Sequence, residues 1–144
     1  MEKTMNKMKR IDKESSINLI VEYVKGKYGF ISEESYNNSE TNMLTFIDKE
    51  DELTYVLDIY PKNPNHFRMY LLFDDEFSLE KLNKVNASIR IAKGTTISIK
   101  NKKCTCVEVE LMLFGNQNKL TAEAFLEKSK ECIVDFVKEL SEDE

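Results

Sequence analysis

The chain has 144 residues, of which 41% are apolar and 33% are charged, a balance that predicts a soluble globular protein with a core that needs no cross-links. Its net charge of -5 opposes binding to nucleic acids and to anionic membrane surfaces, because an acidic protein repels both. The longest apolar run, residues 69–73, is too short to cross a bilayer, and no secretory leader is evident, so we expect a cytoplasmic protein.

The two ends of the chain carry opposite charge. Residues 1–12 begin with a basic, methionine-containing decamer, whereas residues 141–144 are acidic, and such segments are more often solvated than packed. With four glycines and two prolines in the whole chain, no linker-like stretch divides it. We therefore predict a single domain over residues 1–144, with flexible tails at 1–12 and 141–144.

The first predicted element is a helix in residues 15–28, SSINLIVEYVKGKY. Apolar residues recur there every three or four positions, which is typical of a helix that packs one side on a core. A side-chain oxygen of Asp12, Ser15 or Ser16 could cap its first turn. The apolar stripe consists of Ile17, Ile20, Val21, Val24 and Tyr28.

Three segments with a period of two follow, namely NMLTFI, ELTYVLDIY and HFRMYLLF. Alternation of apolar and polar residues indicates strands with one buried face. Turns are expected at residues 48–51 and at residues 61–65, where two prolines cannot donate to a sheet. The pattern predicts a three-stranded meander, and its buried side chains are Leu53, Tyr55, Leu57, Ile59, Phe67, Met69, Leu71 and Phe73.

A short helix and a hairpin come next. In SLEKLNKVNA, Leu79, Leu82 and Val85 share one side of a helix, and Ser78 is placed as its N-cap. The hairpin joins SIRIAKGTTISIK to the following strand through a turn at residues 101–103. Odd-numbered apolar residues should again lie under the helices, and in the first strand of the hairpin these are Ile89, Ile91, Ile97 and Ile99.

The last predicted element is a long amphipathic helix. Leu120 should contact Phe125 as a hydrophobic staple around an N-cap at Thr121. Its apolar stripe consists of Phe125, Leu126, Ser129, Ile133, Phe136, Val137 and Leu140. The predicted class is therefore α+β, with the order α-β-β-β-α-β-β-α and a five-stranded antiparallel sheet whose helices pack mainly on one face.

The sequence NKKCTCVEVELMLF contains two cysteines two residues apart, which raises metal, redox and structural interpretations. In a strand, residues i and i+2 lie about 6.6 Å apart, whereas a disulfide needs Cβ atoms about 3.8 Å apart. Zinc would need two further soft ligands, and beyond Cys104 and Cys106 the chain offers only Cys132 and His66. We therefore expect reduced strand cysteines, no bound metal and no cofactor.

Catalytic chemistry has little support in the sequence. A nucleophilic thiol requires a base, and His66 is the only imidazole, so a pair of Cys104 or Cys106 with His66 on adjacent strands is the one arrangement to consider. The acidic clusters DKEDE and FDDEF lie where turns or helix starts are expected, and none of the glycines begins a phosphate-binding loop. No small-molecule substrate is evident.

The odd-numbered and the even-numbered residues of the strands lie on opposite faces of the predicted sheet. Two helices can almost cover one face of a five-stranded sheet about 24 Å wide, and the odd-numbered apolar residues should lie beneath them. The opposite face would present tyrosine, methionine and phenylalanine among charges, which is typical of a protein-binding surface. A solvated face with scattered apolar residues is the alternative. The expected partner-binding residues are Tyr60, Tyr70, Met112 and Phe114.

The short helix ending in Val85-Asn86, the hairpin KGTTISIKNKKCTCVEVELMLF and a final helix opening near LTAEAFL resemble the YbjN family of small bacterial proteins. The similarity covers most of the chain after Ser15. It implies the type III secretion chaperone fold, in which helices pack on one side of a five-stranded antiparallel sheet and dimers are common. It implies no active-site residues. The methionine-rich basic start and the CTC strand depart from the family.

These observations predict a non-catalytic protein-interaction module, chaperone-like or regulatory, in the cytoplasm. The module would bind a protein partner, or a second copy of itself as a homodimer, through the uncovered sheet face or a helix. No nucleic acid, membrane or small-molecule partner is expected. The alternative is a small thiol-dependent enzyme or regulator that uses Cys104 or Cys106 with His66.

Overall fold

Three helices and six strands make up the part of the chain that the computed structural model describes, which comprises residues 16–29, 32–36, 41–60, 62–63, 65–89, 91–113 and 118–142. The elements in chain order are α1 (Ser16–Lys27), β1 (Ser32–Tyr36), β2 (Thr41–Asp48), β3 (Leu53–Ile59), β4 (His66–Phe73), α2 (Leu79–Ser88), β5 (Lys93–Ile99), β6 (Lys102–Met112) and α3 (Lys119–Ser141). Two of the predicted caps, Asp12 and Ser15, and the predicted tail at residues 1–12 lie outside the described residues.

All six strands form one antiparallel sheet in the order β1-β2-β3-β4-β6-β5. Strands β2, β3 and β4 are the predicted meander. Helix α2 then carries the chain past β4, so that β5 lies at the edge of the sheet and β6 returns between β5 and β4. The predicted α+β class and antiparallel sheet are confirmed. Within the described ranges, no helix combines the length and the apolar character that crossing a bilayer requires.

The sheet has six strands, and the predicted number of five was wrong. The additional strand, β1, has the sequence SEESY, in which no apolar alternation marks a strand. It forms by antiparallel pairing with β2, from Ser32 opposite Thr45 to Tyr36 opposite Thr41. Strand formation at a sheet edge depends on the neighbour that completes the hydrogen bonds, which a local pattern does not reveal. The element order is therefore α-β-β-β-β-α-β-β-α.

A two-residue turn sets the register of the second hairpin. Lys100 and Asn101 have positive φ angles of 51° and 67°, the combination found in a type I′ turn. This turn matches the right-handed twist of the flanking strands, and it places the reversal at residues 100–101 instead of the predicted 101–103. The other two predicted turns lie between β2 and β3 and between β3 and β4.

The hydrophobic core lies between the three helices and one face of the sheet. Alternate side chains of β2, β3, β4 and β6 join the apolar stripes of the helices in one buried cluster. Each fully buried large apolar side chain there contributes about 1.5–3 kcal/mol relative to an exposed one. The residues of this cluster with the largest fully buried side chains are Tyr55, Phe46, Phe67, Phe136, Ile20, Leu44, Leu57, Met69, Leu71, Leu82, Leu126 and Ile133.

Edge strand β5 approaches α3 very closely at one glycine. A Cβ atom added to Gly94 would lie 2.7 Å from ring atoms of Phe136 and 3.1 Å from Leu82. Asn86 of α2 fixes this approach, because its side-chain amide accepts from the Gly94 N–H at 2.8 Å and donates to the Gly94 carbonyl at 2.9 Å. The absence of a side chain therefore lets β5 pack directly beneath the helices.

The helix ends differ from prediction in three details. Ser78 caps α2 as predicted, since its Oγ accepts from the Lys81 N–H at 3.2 Å, but Leu79 is exposed. Asn118, not Thr121, caps α3, because its Oδ1 accepts from the Thr121 N–H at 2.8 Å. Leu120 is exposed and lies within the helix, after the actual cap, so it is not in the position before the cap that the predicted staple with Phe125 requires. Leu79 and Leu120 both lie in the first turn of their helices.

Strand β5 presents its isoleucines opposite to the predicted direction. Ile97 pairs with Cys104 and Ile99 with Lys102, so both lie on the cysteine face of β6, and Ile99 is exposed. The pairing with β6 decides this orientation. Gly94 lies opposite Val107, whose side chain is in the core, so the even-numbered positions of β5 face the helices. Because side chains alternate along a strand, the odd-numbered residues of β5 face away from the helices. Ile91, which precedes β5, is also exposed.

Candidate functional site: the open sheet face

The second face of the sheet carries the candidate site. In the described part of the chain, the helices pack on the core face, and the side chains of the opposite face do not belong to the core cluster. The strand register fixes which residues share this second face. We call it the open face and define it, in the central strands, as Met43, Val56, Asp58, Tyr60, His66, Arg68, Tyr70, Leu72, Cys104, Cys106, Glu108, Glu110 and Met112.

Arg68 occupies the centre of the open face. Its Nη1 donates to Asp58 Oδ2 at 2.8 Å, its Nε donates to Glu108 Oε2 at 2.7 Å, and Glu110 Oε2 lies 3.7 Å from the same Nε. Burial acts to lower the pKa of Arg68, but the hydrogen bonds to Asp58 and Glu108 outweigh it and raise the pKa. The guanidinium also lies over the Tyr70 ring, 4.2 Å from its centroid. Arg68 therefore joins β3, β4 and β6 across the face.

Asp58 adds negative charge that the cluster does not fully neutralise. The residue is only 1% exposed, and its Oδ2 accepts from Arg68 and, at 3.3 Å, from the Tyr60 hydroxyl. Its second oxygen, Oδ1, is buried and accepts no hydrogen bond from any residue that the structure describes. A buried carboxylate oxygen without a donor is costly and leaves a local negative field.

An aromatic pair and a methionine form one end of the open face. The rings of Tyr60 and His66 stack with centroids 4.1 Å apart and an interplanar angle of 7°, and His66 Nε2 lies 3.1 Å from Glu110 Oε2. Burial and the nearby Asp58 raise the pKa of Tyr60 to about 12, so the hydroxyl stays neutral. Met112 is opposite His66 in the register and is 45% exposed.

The other end of the open face is apolar and contains the two cysteines. Leu72 is 43% exposed and lies opposite Cys106, which is buried. Cys104, also buried, lies opposite Ile97 of the edge strand. Burial, followed by the charge of Glu108, raises the pKa of Cys106 to about 11, which disfavours the thiolate that a nucleophile would need.

The four predicted partner-binding residues lie in different environments. Tyr60 and Met112 lie at the same end of the open face, on either side of His66. Tyr70 shares the face but is only 9% exposed, because Arg68 lies over its ring and its hydroxyl donates to Met43 Sδ at 3.7 Å. Phe114 lies outside the described residues. Tyr70 therefore supports the surface from below and contributes little area to it.

Sequence reasoning missed the central cluster. Its signal was the alternation of glutamates in VEVE beside the alternation of His66, Arg68 and Tyr70 in HFRMY. Placing the two strands side by side requires the β4–β6 pairing, in which Arg68 faces Glu110 and Tyr70 faces Glu108. The two strands are separated in the chain by a helix and a further strand. The alternation of side chains within each strand therefore did not show that β4 and β6 are neighbours.

The register separates the cysteines from His66. His66 pairs with Met112, whereas Leu72 pairs with Cys106, so the thiol lies six positions farther along the sheet, about 20 Å away at strand spacing. All three cysteines are free thiols. Among the residues that the structure describes, no group of three or more His, Cys, Asp or Glu side chains could hold a metal ion.

A buried ion pair on the core side was also missed. Lys130 of α3 forms a salt bridge with Asp48 at the end of β2, and both side chains are almost fully buried. Lys130 Nζ also donates to the Tyr28 hydroxyl at 2.9 Å, and that hydroxyl donates to Glu127 Oε2 at 2.6 Å. The amphipathic pattern of α3 gave no signal for it, because a lysine within an apolar stripe reads as a solvent-exposed residue.

Comparison with known proteins bears on the fold. No protein-family model matches the chain, and no curated protein matches it in sequence. The crystal structure of YbjN, described as a proposed transcription regulator from E. coli, is similar with a TM-score of 0.54 and 14% identity, over 84% of this chain and 87% of that chain. This similarity confirms the resemblance inferred from the sequence at the level of architecture: the chain has a YbjN-like α+β fold.

Proposed function

We propose that this protein is a non-catalytic interaction module, chaperone-like or regulatory, that binds a protein partner or a second copy of itself through the open face. The observation that supports this function is the exposure of Leu72 and Met112 at opposite ends of a sheet face on which no described helix packs. Exposed apolar side chains that flank a fixed polar cluster are typical of recognition surfaces, because the cluster orients a partner and the apolar ends supply contact area.

Three further features of the proposal derive from the sequence and the fold comparison. We place the protein in the cytoplasm, where its thiols stay reduced. Because YbjN is described as a proposed transcription regulator, a regulatory role for the present chain is included. Such regulation would act through protein contacts, since an acidic protein with an acidic cluster on its open face repels a phosphate backbone.

The thiol-dependent alternative has no support from the contacts of the open face. It requires Cys104 or Cys106 beside His66, and the register holds Cys106 and His66 about six residues apart. His66 instead contacts Tyr60 and Glu110. We therefore do not propose an enzymatic activity for these residues.

The proposed function is tested by exchanging the two exposed apolar residues of the open face. Leu72→Ser and Met112→Ser, singly and together, should reduce recovery of cross-linked partner proteins about tenfold, because a few apolar contacts that become buried supply much of the binding energy of an interface. Leu120→Ser is the matched control, since Leu120 is exposed on α3, away from the open face. Light scattering on the same variants measures self-association. Equal recovery and equal mass for all variants would refute the proposal.

A further inference from the structure

We propose that the partner of the open face is an extended, basic segment, with one apolar residue at each end and a lysine or arginine between them. This inference rests on the proposed function and specifies the chemistry of the partner. It derives from the order of side chains along β4 and β6, in which a charged centre separates two apolar ends.

The spacing of the two ends fits a short extended segment. Met112 and Cys106 are six residues apart on β6, and Leu72 lies opposite Cys106, so the exposed ends are about 20 Å apart. An extended peptide advances about 3.3 Å per residue, so seven residues cover this distance. Side chains of an extended segment alternate, so residues one, three, five and seven face the sheet together. Residues one and seven would then contact the two apolar ends, and residue three, counted from the Met112 end, would lie over Glu110.

The centre carries an excess of negative charge. Three carboxylates, those of Asp58, Glu108 and Glu110, surround the single guanidinium of Arg68. Asp58 Oδ1 lacks a donor among the described residues, and the side chain of Glu110 is 49% exposed. A cationic side chain above Glu110 would therefore meet an unneutralised field at a position that a partner can reach.

The nearest lysine on the neighbouring strand does not cancel this charge. Lys93 of β5 pairs with Glu108 in the register, but its ammonium donates to the carbonyl oxygens of Asn86 and Ile89, both at 2.9 Å. It thereby caps the C-terminal end of α2, where a cation is favourable. Besides the Tyr60 hydroxyl on Asp58 and His66 Nε2 beside Glu110, the described partner of these carboxylates is Arg68, so their negative charge exceeds the charge of the one guanidinium.

Charge also separates a basic partner from the other possible occupants. An acidic segment would be repelled by Glu110. In a symmetric dimer through this face, the same cluster would face its own copy, so carboxylates would be opposed to carboxylates. A basic segment of a different protein gains attraction at the centre and apolar contact at both ends.

Binding of defined peptides to the full chain tests this inference. The probe is a fluorescein-labelled peptide Leu-Thr-Lys-Ser-Lys-Thr-Leu, whose leucines and lysines share one side of an extended chain, so that one lysine lies over Glu110 in either direction of the peptide. It is compared with the same peptide carrying glutamate or serine in place of both lysines, and with one carrying serine at both ends. Fluorescence anisotropy gives affinities, and ¹⁵N–¹H shift mapping gives the location. We expect the lysine peptide to bind at least about tenfold more tightly than the glutamate peptide, and to weaken as NaCl rises from about 50 to 500 mM.

Protein variants assign the effect to the centre of the open face. Glu110→Gln should weaken the lysine peptide about threefold to tenfold and leave the peptide with serine in place of both lysines unchanged. Glu139→Gln, the same charge change on an exposed position of α3, is the matched control and should have no effect. Circular dichroism confirms that each variant is folded.

The outcomes separate this inference from the proposed function. Equal binding of the lysine, serine and glutamate peptides to the open face overturns the basic specificity and leaves the docking surface intact. Two results would overturn the inference of an extended basic partner and leave the proposed function standing. One is chemical-shift changes confined to the helices. The other is the absence of binding by any peptide while Leu72→Ser still reduces recovery of the partner. A concentration-dependent dimer that Glu110→Gln stabilises identifies the occupant as a second copy and also overturns it.

Discussion

Removing one member of the buried pair of Lys130 and Asp48 should lower the free energy of unfolding more than replacing both members with apolar residues. The Asp48 carboxylate accepts from Lys130 and from the backbone N–H of Glu50 at 2.9 Å. Lys130→Met keeps most of the aliphatic volume but leaves the buried carboxylate with the Glu50 N–H as its remaining described donor. Because an unpaired buried charge costs about 3–5 kcal/mol, we expect the free energy of unfolding to fall by about 3 kcal/mol. For a chain of this size that corresponds to roughly 6–12 °C in Tm.

The double variant Lys130→Met/Asp48→Leu removes both charges together. We expect it to recover to within about 1 kcal/mol of the wild type, since apolar replacement of a whole buried pair is often close to neutral. Urea unfolding followed by circular dichroism on the wild type, both single variants and the double variant completes the cycle. Lys128→Met, on an exposed lysine of the same helix, is the control and should change stability by less than about 0.5 kcal/mol. If the double variant loses the sum of the two single losses, the reasoning is refuted.

The same pair gives the stability a defined pH dependence. Burial alone would raise the pKa of Asp48, but the hydrogen bonds from Lys130 and from the Glu50 N–H outweigh it, and the pKa is lowered. A lowered folded-state pKa means that the stabilisation is present above the ordinary value near 4 and is lost as the pH falls through the folded value. On acidification below about pH 4, the wild type should therefore lose more stability than the double variant does.

Three further predictions address packing, thiol chemistry and capping. Gly94→Ala should cost about 1–3 kcal/mol, because its methyl group would overlap the Phe136 ring, and Phe136→Leu in the same chain should recover part of the loss in urea unfolding. At about pH 8, iodoacetamide labelling followed by mass spectrometry should modify Cys106 more slowly than the half-buried Cys132, because Cys106 is buried and its pKa is raised to about 11; faster labelling of Cys106 would contradict its described environment. Asn118→Ala should lower stability by about 1 kcal/mol through loss of the α3 cap, whereas Asn118→Asp should keep most of it, and equal losses would exclude a capping role.

The strand geometry of the open face explains why its charged cluster and its exposed apolar residues follow one another along the strands. In β4 and β6, residues two apart share a face, so one line of side chains runs from His66 through Arg68 and Tyr70 to Leu72. Burial of Tyr70 beneath Arg68 holds the guanidinium in place and keeps the three carboxylates together. The YbjN-like fold supplies the sheet, and these particular side chains supply the selectivity that we propose.

Periodicity in the sequence determined most of the elements and the core. The stripes of α1 and α3 and the alternation in β3 and β4 each span several turns or several residues, so local geometry alone fixes which side is apolar. Leu57, Met69 and Ile133 are fully buried as that pattern predicted. The separation of the sheet into two faces followed from the same alternation, and so did the placement of Tyr60 and Met112 on the open face.

Only the tertiary structure decided which strands are neighbours and what those neighbours bring together. Strand β1 exists because β2 offers an edge, and Ile97 turns away from the helices because β6 sets the register of β5. The Arg68 cluster and the Lys130–Asp48 pair each join residues from separate elements. Ionic contacts of this kind depend on distances between distant parts of the chain, whereas periodicity carries information only within one element.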